Sequence, residues 1–267
     1  MSAFIAALSM YDWPETRSSV DAEWHYLRGR LCQAGIDAPQ ALVRRNADMP
    51  AVAGGIRDHS GRAIAPDPAT LPIDAFDVLT LWRHPALLLA QTCWGPMEQG
   101  LAAHVVVVGQ PSYDGFQGGQ GPLYSSALLM RRRQGDASDL QSPVDGHAVL
   151  PIEVLRGKRF AYNGPDSMSG VLGLTRDLEA SGESLAILPE RIETGSHRGS
   201  IAAVAEGRAD VCAIDCRSWH LARLHEPRAA DLRVVGWTAR RTGLPLITSM
   251  HTQPETIEKL RAVLSDG

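Results

Sequence analysis

No stretch of this 267-residue chain stays apolar for the roughly 18 residues that a membrane-crossing helix needs. The longest candidates, Ala86 to Ala90 and Val105 to Val108, are only core-sized, so membrane insertion is not expected. No signal peptide is expected in this stretch either: strand-like Phe4 to Leu8 begins almost at once, with neither a basic segment nor a long apolar one before it. The expected location is the periplasm if a leader has been removed, and the cytoplasm otherwise. Acidic residues outnumber basic ones, 30 to 26. A formal net charge of -4 offers no bulk attraction to nucleic acid or to anionic lipid, which removes nucleic acid from the expected partners. The one basic run, Arg131-Arg132-Arg133, follows an apolar strand and reads as a solvated strand end.

Cysteine is sparse. Cys32, Cys93, Cys212 and Cys216 form no Cys-x-x-Cys pair, and no histidine cluster has metal-ligand spacing. Neither a metal nor a cofactor is expected, and the four thiols read as buried or half-buried packing groups. The usual catalytic signatures are absent too. There is no G-x-S-x-G elbow, no His-Glu-x-x-His, no Gly-Lys-Ser/Thr phosphate loop and no G-x-G-x-x-G after the first strand. Ser196 and His197 are neighbours in sequence and so poorly placed to act as nucleophile and base. The chain reads as a non-enzyme.

What is present is a folded α/β protein. Hydrophobic residues make up 44% and charged residues 21%, and the length suits one large or two modest domains. Strand and helix signals alternate, which predicts mostly parallel sheets flanked by helices. Strands are expected at Phe4 to Leu8, Ala41 to Arg44, Phe76 to Leu81 and Ala103 to Val108. Helices are expected at Val20 to Ala34 and near Pro85 to Gln91. Gly109 to Pro122 is too rich in glycine for a packed element and reads as a crossover with backbone room for a ligand. A second series follows, with strands at Leu123 to Met130, Lys158 to Tyr162, Val211 to Ile214 and Leu232 to Trp237. Its helices are Gly170 to Ala180, the stretch ending at Gly207, Trp219 to Leu224, and Pro254 to Leu264.

Two segments follow strand ends and open helices. In Asn163-Gly-Pro-Asp-Ser-Met-Ser-Gly170, a helix start leaves backbone N–H groups free and carries partial positive charge. Ser167 and Ser169 add rotatable donors, and Gly170 lets a ligand approach the backbone, which is the chemistry of a phosphate or carboxylate cradle. Ordinary N-capping by either serine is the competing reading. His197 opens the next helix, where an imidazole can donate to an anion. Asp215 ends a strand at the edge where open α/β sheets gather ligand groups, and it can meet a ligand ammonium or cap the helix that follows. Tyr11, Trp94 and Tyr124 stand at element boundaries, where an aromatic ring can reach a ligand or pack at a rim.

These residues, with Met10-Tyr-Asp12, Gln91-Thr-Cys93, Leu123-Tyr-Ser-Ser126, Gly195-Ser-His197, Ser200-Ile201, Ala209 to Asp215 and Leu244-Pro-Leu-Ile-Thr248, make the chain resemble the periplasmic substrate-binding proteins of phosphate, phosphite and phosphonate ABC transporters. The pieces lie in the expected order over nearly the whole chain. The resemblance implies the two-lobed type II periplasmic-binding-protein fold, with ligand held between the lobes. Lobe one would be 1–111 with 216–267 and lobe two 112–215. It implies anion capture by Ser167, Ser169 and the amide of Gly170, a ligand amine at Asp215, and closure by Tyr11 and Trp94. Its expected partners are a small phosphonate- or phosphate-like anion and an ABC permease, and the chain is expected to be a monomer. Met168 departs from the small polar residue common at that position. The alternatives are an enzyme on the same scaffold, as in pyrimidine or menaquinone biosynthesis, with Cys93 or His197 as its reactive group, and a cytosolic ligand sensor.

Overall fold

The computed structural model describes residues 4–265. Its contacts divide the chain into two compact units, one running up to Gln110 and resuming at Leu244, the other Pro111–Gly243.

The first unit is built on a four-stranded sheet in the order Ile5–Ala7, Leu87–Gln91, Leu246–Ser249, Val105–Gly109. Leu87–Gln91 is buried along its whole length, as an apolar run covered on both faces must be. One face is covered by the helices Arg17–Gln33 and Pro254–Ser265, which bring Val20, Trp24, Leu31, Leu260 and Val263 onto Leu88 and Val108. Leu81, Trp82, Met97 and Leu101 form a second core with Leu87 and Ala90.

The sequence pattern is inverted at 76–91. The helix is Val78–Arg83 and the strand is Leu87–Gln91. Asp77 decides the first, because its carboxylate caps the helix by accepting from Thr80 N at 2.9 Å. Short apolar runs fit either period, so only the cap separates the two. Ala41 to Arg44 forms no strand. It is tied to the sheet by a bond from Val43 N to Ala6 O at 2.8 Å.

The second unit holds a five-stranded sheet in the order Glu190–Glu193, Arg159–Tyr162, Val211–Asp215, Ser126–Arg131, Leu232–Trp237. Leu128, Phe160, Leu174, Leu178, Val211 and Ala213 form its core. Both sheets are mixed rather than mostly parallel. Leu246–Ser249 and Ser126–Arg131 each run against both neighbours. Each is the first long strand after the chain passes from one unit to the other. Neither arrives over a covering crossover helix, the connection that parallel neighbours need.

The second crossing falls at 243/244 and not at 215/216. Leu232–Trp237 pairs with Ser126–Arg131, with Trp237 opposite Ala127, so the residues after Asp215 stay in the second unit. The glycine-rich stretch is also more ordered than its composition predicts. Gly119–Gln120, Leu123–Tyr124 and Arg241–Thr242 make a small three-stranded sheet. A β-carbon on Gly118 would collide with the Trp237 ring, and one on Gly119 with the backbone carbonyl of Tyr113. Those glycines make room for packing rather than for a ligand.

All four cysteines are free. Cys93, Cys212 and Cys216 are buried, while Cys32, expected to be at least half-buried, is exposed near the end of its helix. Burial pushes the Cys212 and Cys216 thiols far up, so they stay protonated and inert. No helix among the described residues is long and apolar enough to cross a membrane.

Candidate functional site in the second unit

Three of the sequence-selected residues meet at one end of the five-stranded sheet. Asp215 is the last residue of Val211–Asp215, and His197 is the first of the helix His197–Ala205. Ser169 lies in the turn Met168–Leu172, which leads into the helix Gly173–Ala180. Ser169 Oγ is 2.9 Å from His197 Nε2, and the same nitrogen is 3.3 Å from Asp215 Oδ2.

Local capping holds each of these groups. Asp215 Oδ1 accepts from the amides of Arg217 and Ser218 at 3.1 and 2.9 Å, so one carboxylate oxygen caps the helix Cys216–His225 while the other faces His197. Ser196 caps the helix of His197 through Gly199 N. Thr194 bonds the carbonyl of Tyr162 and the hydroxyl of Ser200, fastening that loop to the strand Arg159–Tyr162.

The turn that carries Ser169 is wider than an α-turn. Val171 N and Leu172 N both donate to Ser167 O, at 3.1 and 3.0 Å, and such π-turns recur at functional sites. Ser167 caps this turn, its Oγ accepting from Gly170 N at 3.0 Å. The Gly170 amide, expected to point at a ligand, is thus already bonded. The space beside Gly170 is also filled, because a β-carbon there would collide with Asn163 Oδ1. Gly170 is glycine to admit the Asn163 amide, not a ligand. Met168 turns inward, its sulfur within 3.5 Å of Arg176 Nη1.

The protonation pattern follows from these neighbours. Burial pushes the His197 pKa down and the negative charge of Asp215 pulls it up, with burial the larger effect. The ring is neutral at neutral pH. A carboxylate only accepts, so the proton belongs on Nε2, which faces Asp215. Ser169 Oγ then accepts from that shared N–H, and its own hydroxyl proton remains to donate to an added anion. Nδ1 is buried and has no partner among the described residues. A nucleophile–base–acid relay needs the acid on one ring nitrogen and the nucleophile on the other. Here both share Nε2.

Of the aromatic candidates, Tyr124 lies in the second unit and Tyr11 and Trp94 in the first. Tyr124 is 1% exposed and packs on Tyr113 with ring centroids 5.4 Å apart, so it is a core residue of the small sheet. Tyr11 is buried, and Trp94 opens the helix Trp94–Glu98 and packs against the first unit's second core.

Two residues at the site were not selected from the sequence. Asn163 follows the strand Arg159–Tyr162 directly, the position where open sheets place ligand groups, and that rule could have found it. Ser126 is paired directly with Asp215 across the antiparallel ladder, so the two side chains share a face. Its hydroxyl is buried with no partner among the described residues. Ser126 closes the motif Leu123-Tyr-Ser-Ser126, but nothing in that motif singles out its hydroxyl, since the pairing is set by the sheet.

The sequence profile described as ABC transporter, phosphonate, periplasmic substrate-binding protein matches residues 101–266, more than half of the chain. The chain belongs to this family. It is a family of periplasmic substrate-binding proteins. No curated protein matches the sequence. Among solved structures, the fold is similar to that of PhnD1 from Prochlorococcus marinus in complex with methylphosphonate. That likeness has 16% identity and a TM-score of 0.60, and covers 97% of this chain and 82% of that one. It is similar to XAC2383 from Xanthomonas citri bound to chloride ion, at 16% identity and a TM-score of 0.58, over 98% of this chain and 83% of that one. A binding protein component of an ABC phosphonate transporter from Pseudomonas aeruginosa, PA3383, also has 16% identity and a TM-score of 0.58, over 97% of this chain and 72% of that one. At these identities the likeness is one of fold.

Proposed function

We propose that this family member captures a small phosphonate- or phosphate-like anion at Ser169, His197 and Asp215 and delivers it to an ABC permease, without chemical conversion. The observation that carries the reading is the shared Nε2 of His197, 2.9 Å from Ser169 and 3.3 Å from Asp215. It fixes the imidazole and frees the serine hydroxyl to donate, which is what an anion requires. Ser167 supports the site as the cap of the turn that presents Ser169. The carboxylate of Asp215 suits a ligand that also carries an ammonium group. The same sharing supports binding over hydrolysis, since Ser169 has no base across the ring from an acid. The periplasm is the compartment that fits the family's role.

Native mass spectrometry of freshly purified protein tests the ligand class. The expected result is a retained small phosphorus oxyanion, or an added methylphosphonate that binds one per chain. A chain that retains neither and binds neither methylphosphonate nor phosphate contradicts the reading.

A further inference from the structure

The far end of the same sheet carries a second cluster of charge. Arg131, Arg133 and Lys158 line one concavity of about 300 Å³, together with Met130, Arg132 and Asp210. The ladder places it. Met130 pairs with Val211 and Ser126 with Asp215, so the concavity lies four residues along the strand from the Asp215 end, about 13 Å at ~3.3 Å per residue.

Two acids close to these cations are already committed. Asp210 accepts from Arg159 three times, from the backbone N and Nε on Oδ2 and from Nη2 on Oδ1. Those bonds hold its carboxyl down at about 2. Asp136, beside Arg133, forms an ion pair with Arg233, its Oδ2 2.7 Å from Nε. Arg132 is also taken, by Asp139 and the carbonyl of Leu232. The side chains of Arg131, Arg133 and Lys158 make no ion pair or hydrogen bond among the described residues. Arg131 lies over Gly207, where a β-carbon would stand 3.1 Å from its Nη1.

Asp210 and Asp136 lie close enough to feel Lys158 and Arg133, but each carboxylate is paired with another arginine. The hollow therefore keeps a surplus of positive charge, and an anion seated there relieves the repulsion among its cations while gaining charge-assisted hydrogen bonds. A hollow of this size holds about ten waters at ~30 Å³ each, enough room for a di- or triphosphate. We infer that Arg131, Arg133 and Lys158 form a second anion site, separate from the Ser169 site, that takes a compact phosphate-type polyanion.

The test is calorimetric titration of inorganic pyrophosphate into the full chain, into R131Q/R133Q/K158Q, and into Ser169→Ala. Wild type is expected to bind. The triple variant should bind at least tenfold more weakly, Ser169→Ala should keep this binding, and affinity should fall as salt rises from about 0.05 M to about 0.5 M. Absence of binding to wild type overturns the inference, as does unchanged affinity in the triple variant or loss confined to Ser169→Ala. If the triple variant does not fold, Arg133→Gln alone carries the test, because Arg133 is exposed and makes no side-chain bond. Several-fold weakening is then expected, and unchanged affinity overturns the inference.

Discussion

Ser169 and His197 are joined by a 2.9 Å contact between Oγ and Nε2, the same ring nitrogen that faces Asp215 at 3.3 Å. Asp215 therefore sets both the tautomer of His197 and the freedom of the Ser169 hydroxyl. Asp215→Asn separates charge from capping, since asparagine caps a helix about as well as aspartate. Stability should change by less than about 1 kcal/mol. Affinity for a phosphonate that carries an amine should fall roughly tenfold or more relative to methylphosphonate, the size of a lost charged hydrogen bond. Parallel titrations of the two ligands into both proteins measure the ratio. An unchanged ratio removes Asp215 from amine recognition.

Ser167 and Ser169 lie two residues apart and do different work. Ser167 Oγ caps Gly170 N, so Ser167→Ala should cost about 1 kcal/mol of stability, within the ~0.5–2 range of cap deletions. Ser169 caps nothing, and its replacement by alanine should leave the denaturation midpoint nearly unmoved. Denaturant unfolding of the two single variants checks the contrast. Equal losses would contradict the division of roles.

Gly170 and Asn163 form a packing pair. A β-carbon at Gly170 collides with Asn163 Oδ1, so Gly170→Ala should destabilise by about 1–3 kcal/mol, the usual range for overpacking. Trimming the neighbour should recover part of that loss. In a double-mutant cycle, Gly170→Ala with Asn163→Ala is expected to be less destabilising than the sum of the singles. Strict additivity would show that the collision is not the cause.

Burial lowers the pKa of His197 in the folded chain, with Asp215 only partly opposing it. In the unfolded chain the imidazole titrates near ~6.5. As pH falls, the unfolded state takes up this proton first. Stability is therefore lost from about pH 6.5 downward, until the lower native pKa is passed. His197→Gln removes this contribution. The unfolding free energy of wild type minus that of the variant should be flat above about pH 7.5 and should fall on acidification. A difference that does not vary with pH rules out a buried neutral imidazole.

Several elements of the later half of the chain were legible from local pattern. Strand Leu232–Trp237 and the helix beginning at Pro254 agree with their expected positions, and Val211–Asp215 and Arg159–Tyr162 to within a residue. These segments have clear turn residues on both sides. The inversion at Val78–Arg83 and Leu87–Gln91 has a physical source, since short apolar runs have no decisive period and Asp77 alone marks the helix start. Ser169, His197 and Asp215 were legible because each stands at the junction of a strand or loop with a helix. The competition for Gly170, by Ser167 at its amide and Asn163 at its α-carbon, depends on how the turn folds back and is not encoded in spacing. Ser126 was hidden for a related reason, because only strand register sets it opposite Asp215.

The hydroxyl freed by His197 is the group expected to bind a phosphonate-type anion. Calorimetric titration of methylphosphonate into wild type and Ser169→Ala tests it most directly. One site is expected in wild type, with an affinity at least about tenfold lower in the variant, from a charge-assisted bond of about 1.5–3 kcal/mol. Equal affinity in the two proteins would contradict it.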